Sequence, residues 1–156
     1  MDSSSKPKIN RRQSRDAAFC LLFEWAFHGE QFENLVENAR YARELEADDF
    51  ALTLCKLAID NAPELDGLIE EYSESWKVSR LSKVTLTVLR MAFCELTKFE
   101  GIPLGATINE AVELSKKYAT EDEAAFVNGI LGRYVRREAA APGEAQQPEP
   151  TPDDAK

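Results

Sequence analysis

The side chains in this sequence best suited to chemistry are cations at its start. Arg11, Arg12 and Arg15, with Lys8 just before them, stand where a polar arm enters an apolar run. Arg12 and Arg15 are three residues apart and share a face if the run is helical. Their planar guanidiniums can fork onto phosphates or stack on bases. Taken alone, a basic start of this kind is more often a solvated tail. Two aromatics, Tyr118 and Phe126, flank a second polar segment, and an exposed ring there would stack on unpaired bases at about 1–3 kcal/mol per base. By pattern alone both rings belong more often to a core. Asp122, between them, sits in a first helical turn, where an acid stabilises the helix dipole.

Other chemistries are thinly represented. The single histidine, His28, stands beside Gly29 and reads as a cation closing a helix C-terminus. Cys20, Cys55 and Cys94 lie 35 and 39 residues apart, each inside an apolar helical pattern. That spacing excludes CxxC redox and zinc-ribbon motifs and predicts reduced, packed thiols of a cytoplasmic protein. The sequence contains no phosphate-binding glycine loop, nucleophile elbow or HExxH pair. No catalytic residue, metal ligand or cofactor site is therefore assigned, and a non-enzymatic role is expected. Residues 1–16 do not resemble a signal peptide, and the longest apolar run, Ala17–Phe23, is far short of the ~20 residues that span a bilayer.

Charge is unevenly spread. The chain of 156 residues has a formal net charge of −9. Residues 1–15 carry five bases against Asp2, whereas residues 16–75 hold three bases and fifteen acids. Residues 76–137 return to ten bases and seven acids, and the segment from Glu138 is acidic again. A basic surface can thus face a polyanion while an acidic one faces a basic protein.

The elements that must position these groups all read as helices. The ends, 1–10 and 139–156, are polar and proline-containing, and are expected to be a disordered basic arm and a disordered acidic tail around a folded body over 11–138. A helix running through Ala26 is apolar on almost every face, as a central helix would be. Helices follow over Glu33–Glu44, after a cap at Asp48 or Asp49, and from Pro63. Ser82 opens another, in which Val84–Val88 could pass for a strand but the period of 3.6 continues through Phe99. A sixth ends near Tyr118, and Thr120–Glu123 is a capping-box signature for the seventh. Thr107 and Glu110 suit another capping box, making Asn109 and Glu110 structural. Trp25 and Trp76 are expected in the core or between subdomains. Tyr72 is expected at such an interface or toward RNA, and Gly129 where another helix approaches closely. The fold class is all-α, with seven helices.

Three blocks carry a family resemblance. Arg11–Ala18 with Phe23 and Trp25, then Leu81–Val84 with Val88–Ala92 and Glu95–Leu96, precede the strongest match. That match is Ile102-Pro103, Ile108–Leu114, Glu121-Asp122 and Phe126–Leu131. In order and spacing these blocks resemble the NusB family of bacterial transcription antitermination factors. The resemblance implies two packed helical subdomains that bind the boxA element of ribosomal RNA leader transcripts together with the ribosomal protein NusE. That pair joins other Nus factors on RNA polymerase. It implies RNA contacts by Lys8, Arg11, Arg12 and Arg15, and places Tyr118, Asp122 and Phe126 near the RNA. Thr85 departs from the family, which often has an acid there. A second reading is a helical protein-interaction module, homodimeric or not, without sequence-specific RNA binding.

Overall fold

The stretch Val84–Val88, legible as strand or helix, resolves as the middle of the molecule. It lies in helix α5 (Lys83–Lys98), where Thr85, Leu86, Thr87, Val88 and Leu89 are all buried in succession. Five consecutive buried positions cover more than one full turn, so this helix is enclosed on every side. The β-branched residues there follow from burial rather than from a sheet.

The computed structural model describes residues 10–140 apart from 30, 44–46 and 75, and apart from the side chains of 39–43, 139 and 140. Lys8, the rest of the arm 1–9 and the tail from 141 lie outside the described residues. Around α5 stand α1 (Arg11–His28), α2 (Phe32–Arg43), α3 (Asp49–Asp60), α4 (Ala62–Tyr72), α6 (Leu104–Tyr118) and α7 (Glu121–Ala140). A 3₁₀ turn, Val78–Arg80, joins α4 to α5. Helices α1–α3 form one group and α4–α7 the other, with α5 packed against α1 and α3 as well as its own group. The two subdomains share one core, in which Leu22, Leu54, Leu65, Ile69, Phe93 and Ile130 are fully or nearly fully enclosed. Each contributes about 1.5–3 kcal/mol of burial. Among the described residues there is no strand, and no helix is long and apolar enough to cross a membrane.

Helix boundaries follow local chemistry. The Asn10 side chain accepts from the Gln13 N–H, and Gln13 Oε1 accepts from the Asn10 N–H, each at 2.8 Å. Asn10 is thus the cap of α1 rather than the last residue of a free arm. Asp48 caps α3 through the Ala51 N–H, while its other oxygen accepts from the Ser14 hydroxyl at 2.7 Å and ties the starts of α1 and α3 together. Gly29 closes α1 with φ +65°, the left-handed conformation glycine adopts without strain.

Several expectations are corrected. The enclosed helix is α5, not α1, whose C-terminal end leaves Phe27 and His28 exposed. Trp76 is half in water rather than in the core, while Tyr72 is buried against Phe93 and Tyr134. Thr107 is no cap: α6 begins at Leu104, and the buried Thr107 hydroxyl donates to Glu95. No helix presses on Gly129, since a Cβ there would meet only the Arg133 guanidinium at 3.7 Å.

Candidate nucleic-acid interface

Arg12 and Arg15 leave the same turn of α1 and both meet carboxylates in two-pronged geometry, with opposite consequences. Arg15 donates through Nε and Nη2 to Glu95 of α5, both at 2.7 Å, and the two side chains are 7% and 2% exposed. Thr107 adds a third donor to Glu95, so α1, α5 and α6 are joined by one enclosed polar knot. Arg15 is therefore removed from the candidate RNA contacts. Its position in the sequence fits a phosphate ligand, but its guanidinium is spent on Glu95 inside the protein.

Arg12 pairs with Glu110 of α6 at 3.0 and 2.9 Å while its own side chain stays 64% exposed. The hydrogen bond from Arg12 holds the Glu110 carboxyl below its ordinary range. Arg11 lies with its guanidinium 4.0 Å from the Phe50 ring centre. Beyond Arg12 the α1–α6 surface forms a shallow cleft of about 170 Å³ lined by Arg12, Asp16, Glu110, Glu113, Leu114 and Lys117. Lys117 and the Tyr118 hydroxyl both donate to Asp16. The Tyr118 ring stacks on Phe19 at 4.5 Å, and burial of that face followed by the bond to Asp16 pushes its phenol pKa up. Tyr118 is a half-covered ring with its hydroxyl fixed.

Phe126 belongs to a different neighbourhood. It is half-buried and meets Trp76 edge-on, with centroids 6.2 Å apart. Asp122 is exposed in the first turn of α7, the position a helix dipole favours. Beside it, Glu123 receives the Ser82 and Thr85 hydroxyls at 2.6 Å each, and these bonds lower its pKa. Thr85 is thus a buried hydroxyl holding an acid of α7. The structure brings Arg11 and Arg12 together at the start of α1 and Tyr118 against Phe19 in the same helix. It places Phe126 beside Trp76, at the connection that leads into α5.

Sequence reasoning missed Trp76, Phe27, Asp16 and Lys117. A tryptophan beside the basic run Lys77–Lys83 was the signal available for the first. Nothing local announces the others, because their partners lie on distant helices. The thiols of Cys55 and Cys94 are buried, and burial pushes each to about 12, so they remain protonated packing groups. No cluster among the described residues could hold a metal ion.

The helical core presents arginines, lysines and partly exposed rings at its surface, the features a nucleic-acid-binding surface needs. The comparisons with known proteins make this particular. The NusB family matches residues 12–136. The transcription antitermination protein NusB of Clostridium botulinum is 38% identical over 141 residues, covering 81% of this chain and all of that protein. NusB of T. maritima is 38% identical with a TM-score of 0.69, over 81% of this chain and 91% of that one. A crystal structure of antitermination factors NusB and NusE in complex with dsRNA matches at 29% identity and TM-score 0.73, over 81% and 96%. The chain belongs to the NusB family.

Proposed function

We propose that this chain is a transcription antitermination factor that binds boxA-type RNA of ribosomal RNA leader transcripts together with ribosomal protein NusE. Through the other Nus factors it would act on RNA polymerase, in the cytoplasm and without catalysing a reaction. One observation carries the reading. The fold follows, over four-fifths of the chain, that of a NusB protein solved with NusE and double-stranded RNA. A preference for unpaired RNA is supported by the partly exposed Tyr118 and Phe126, because rings stack on bases that a duplex keeps to itself.

Within this reading Arg11 and Arg12 neutralise phosphate, with Lys8 in the arm 1–10 extending the contact. Tyr118 and Phe126 meet bases, and Asp122 borders the strand. The acidic surface of residues 16–75 suits a basic partner protein. The body over 11–138 carries the function.

The test is a titration of the full chain with boxA-type RNA and with a scrambled strand of equal length, each with and without NusE. The expected result is preference for boxA, a further gain with NusE, and loss of discrimination in Phe126→Ala. Equal binding of both strands under all conditions would replace this reading with that of a protein-interaction module.

A further inference from the structure

Trp76 combines exposure with restraint. Half of its surface is in water, yet its backbone is clamped from both sides. The Ser73 hydroxyl donates to the Trp76 carbonyl at 2.7 Å, and the Trp76 N–H donates to the Ser73 carbonyl at 3.3 Å. Two residues on, the Val78 N–H donates to Glu70 at 2.9 Å. At the far end of the connection Ser82 donates to Glu123 of α7. Phe126 braces the indole edge-on. The exposed half of the ring gains nothing for folding by being fixed there. A fixed ring does reduce the ordering cost when a flat ligand stacks on it.

The same connection and the first residue of α5 hold three exposed cations, Lys77, Arg80 and Lys83. Among the described residues none of them makes an ion pair, whereas Arg12, Arg15, Arg90, Lys98, Lys117 and Arg137 all do. Lys83 lies 5.9 Å from the ring centre of exposed Phe27, which extends the patch toward α1. An exposed indole followed along the chain by unpaired cations is the composition that binds single-stranded nucleic acid, with rings for bases and cations for phosphates. A basic protein would be repelled by these three charges.

We infer that Trp76, braced by Phe126, is a stacking platform for an unpaired base of the RNA, and that Lys77, Arg80 and Lys83 bind the phosphates around it. This rests on the RNA-binding function proposed above and assigns that function a second surface, distinct from the arginines of α1.

The experiment titrates the full chain and its variants with boxA-type RNA, following tryptophan emission and affinity at several salt concentrations. Binding should quench emission, and Trp76→Phe should abolish the quench, leaving Trp25 silent. Trp76→Ala should weaken binding about 10-fold or more, by the loss of one stacked base. The double variant Lys77→Gln/Arg80→Gln, which alters only exposed side chains, should lower the log–log salt slope by about 1.4, at ~0.7 per contact. Circular dichroism should be unchanged in all three. If the unsubstituted chain binds boxA RNA but these variants match it in affinity, slope and quench, the platform is refuted and the function stands. Loss of NusE binding with RNA binding intact would also refute it, by making the surface a protein dock. A chain that binds no RNA with or without NusE would sink the function and the platform together.

Discussion

The start of α1 and the connection between α4 and α5 carry similar charge in sequence but differ in how that charge is paired in space. Arg12 and Arg15 both end on carboxylates, one at the surface and one enclosed, and Arg11 lies over Phe50. Lys77, Arg80 and Lys83 make no ion pair among the described residues and follow a half-exposed indole closely in sequence. A cation already paired must give up a hydrogen-bonded partner to reach a phosphate, while an unpaired one gives up only water. The connection is therefore the better-prepared anion surface, although the α1 run looks more basic on paper.

The largest effect expected from breaking this contrast is on stability. Arg15→Ala strands Glu95 in the core, and removal of one partner from a buried pair costs about 3–5 kcal/mol. Thermal unfolding should fall by about 10 °C. Replacing both partners by apolar residues should recover most of the loss. RNA affinity of Arg15→Ala, measured well below its transition, should match the unsubstituted chain. An affinity loss without a stability loss would put Arg15 back on the RNA.

Converting the first region into the second is the sharper test. Glu110→Gln leaves Arg12 exposed but without a carboxylate, and should tighten RNA binding about threefold, an effect of the size exposed pairs have. Weaker binding would instead mean that Glu110 aims Arg12 at the strand. Gly129→Ala, one turn beyond Phe126 in α7, should stabilise α7 by about 0.5 kcal/mol, since no backbone or packed helix lies against it. A fall in melting temperature would reveal a neighbour there.

The smallest effect is with pH. Glu110 and Glu123 are held below their ordinary value of 4.5 by hydrogen bonds from Arg12 and from Ser82 and Thr85. A carboxylate with a lowered folded pKa adds stability that is present above 4.5 and lost as pH falls through its folded value. Stability should therefore decline below about pH 4.5, and less steeply in Glu110→Gln and Glu123→Gln. Both groups are partly exposed, so salt should shrink the difference. Identical acid limbs in all three proteins would remove these bonds from the account.

What could be read from the chain is what depends on neighbours in sequence. The 3.6-residue period through Met91 and Phe93, the capping residues Asp48, Ser82 and Thr120, Pro63 in a first turn and Gly29 at a helix end are local conditions. They set all seven helices before any tertiary contact is considered, and the family blocks set the order in which they pack. The strand-like run Val84–Val88 was ambiguous only locally, because a helix enclosed on all sides loses its polar face. The fate of each charged or aromatic side chain was not local. Arg15 finds Glu95 80 positions away and Arg12 finds Glu110 98 positions away. Trp76 remains in water because the 3₁₀ turn and its clamps hold it outside the core. Sequence determines the helices through short-range hydrogen bonding and apolar period. Tertiary structure decides which cations remain unpaired, because pairing depends on where distant helices bring their carboxylates.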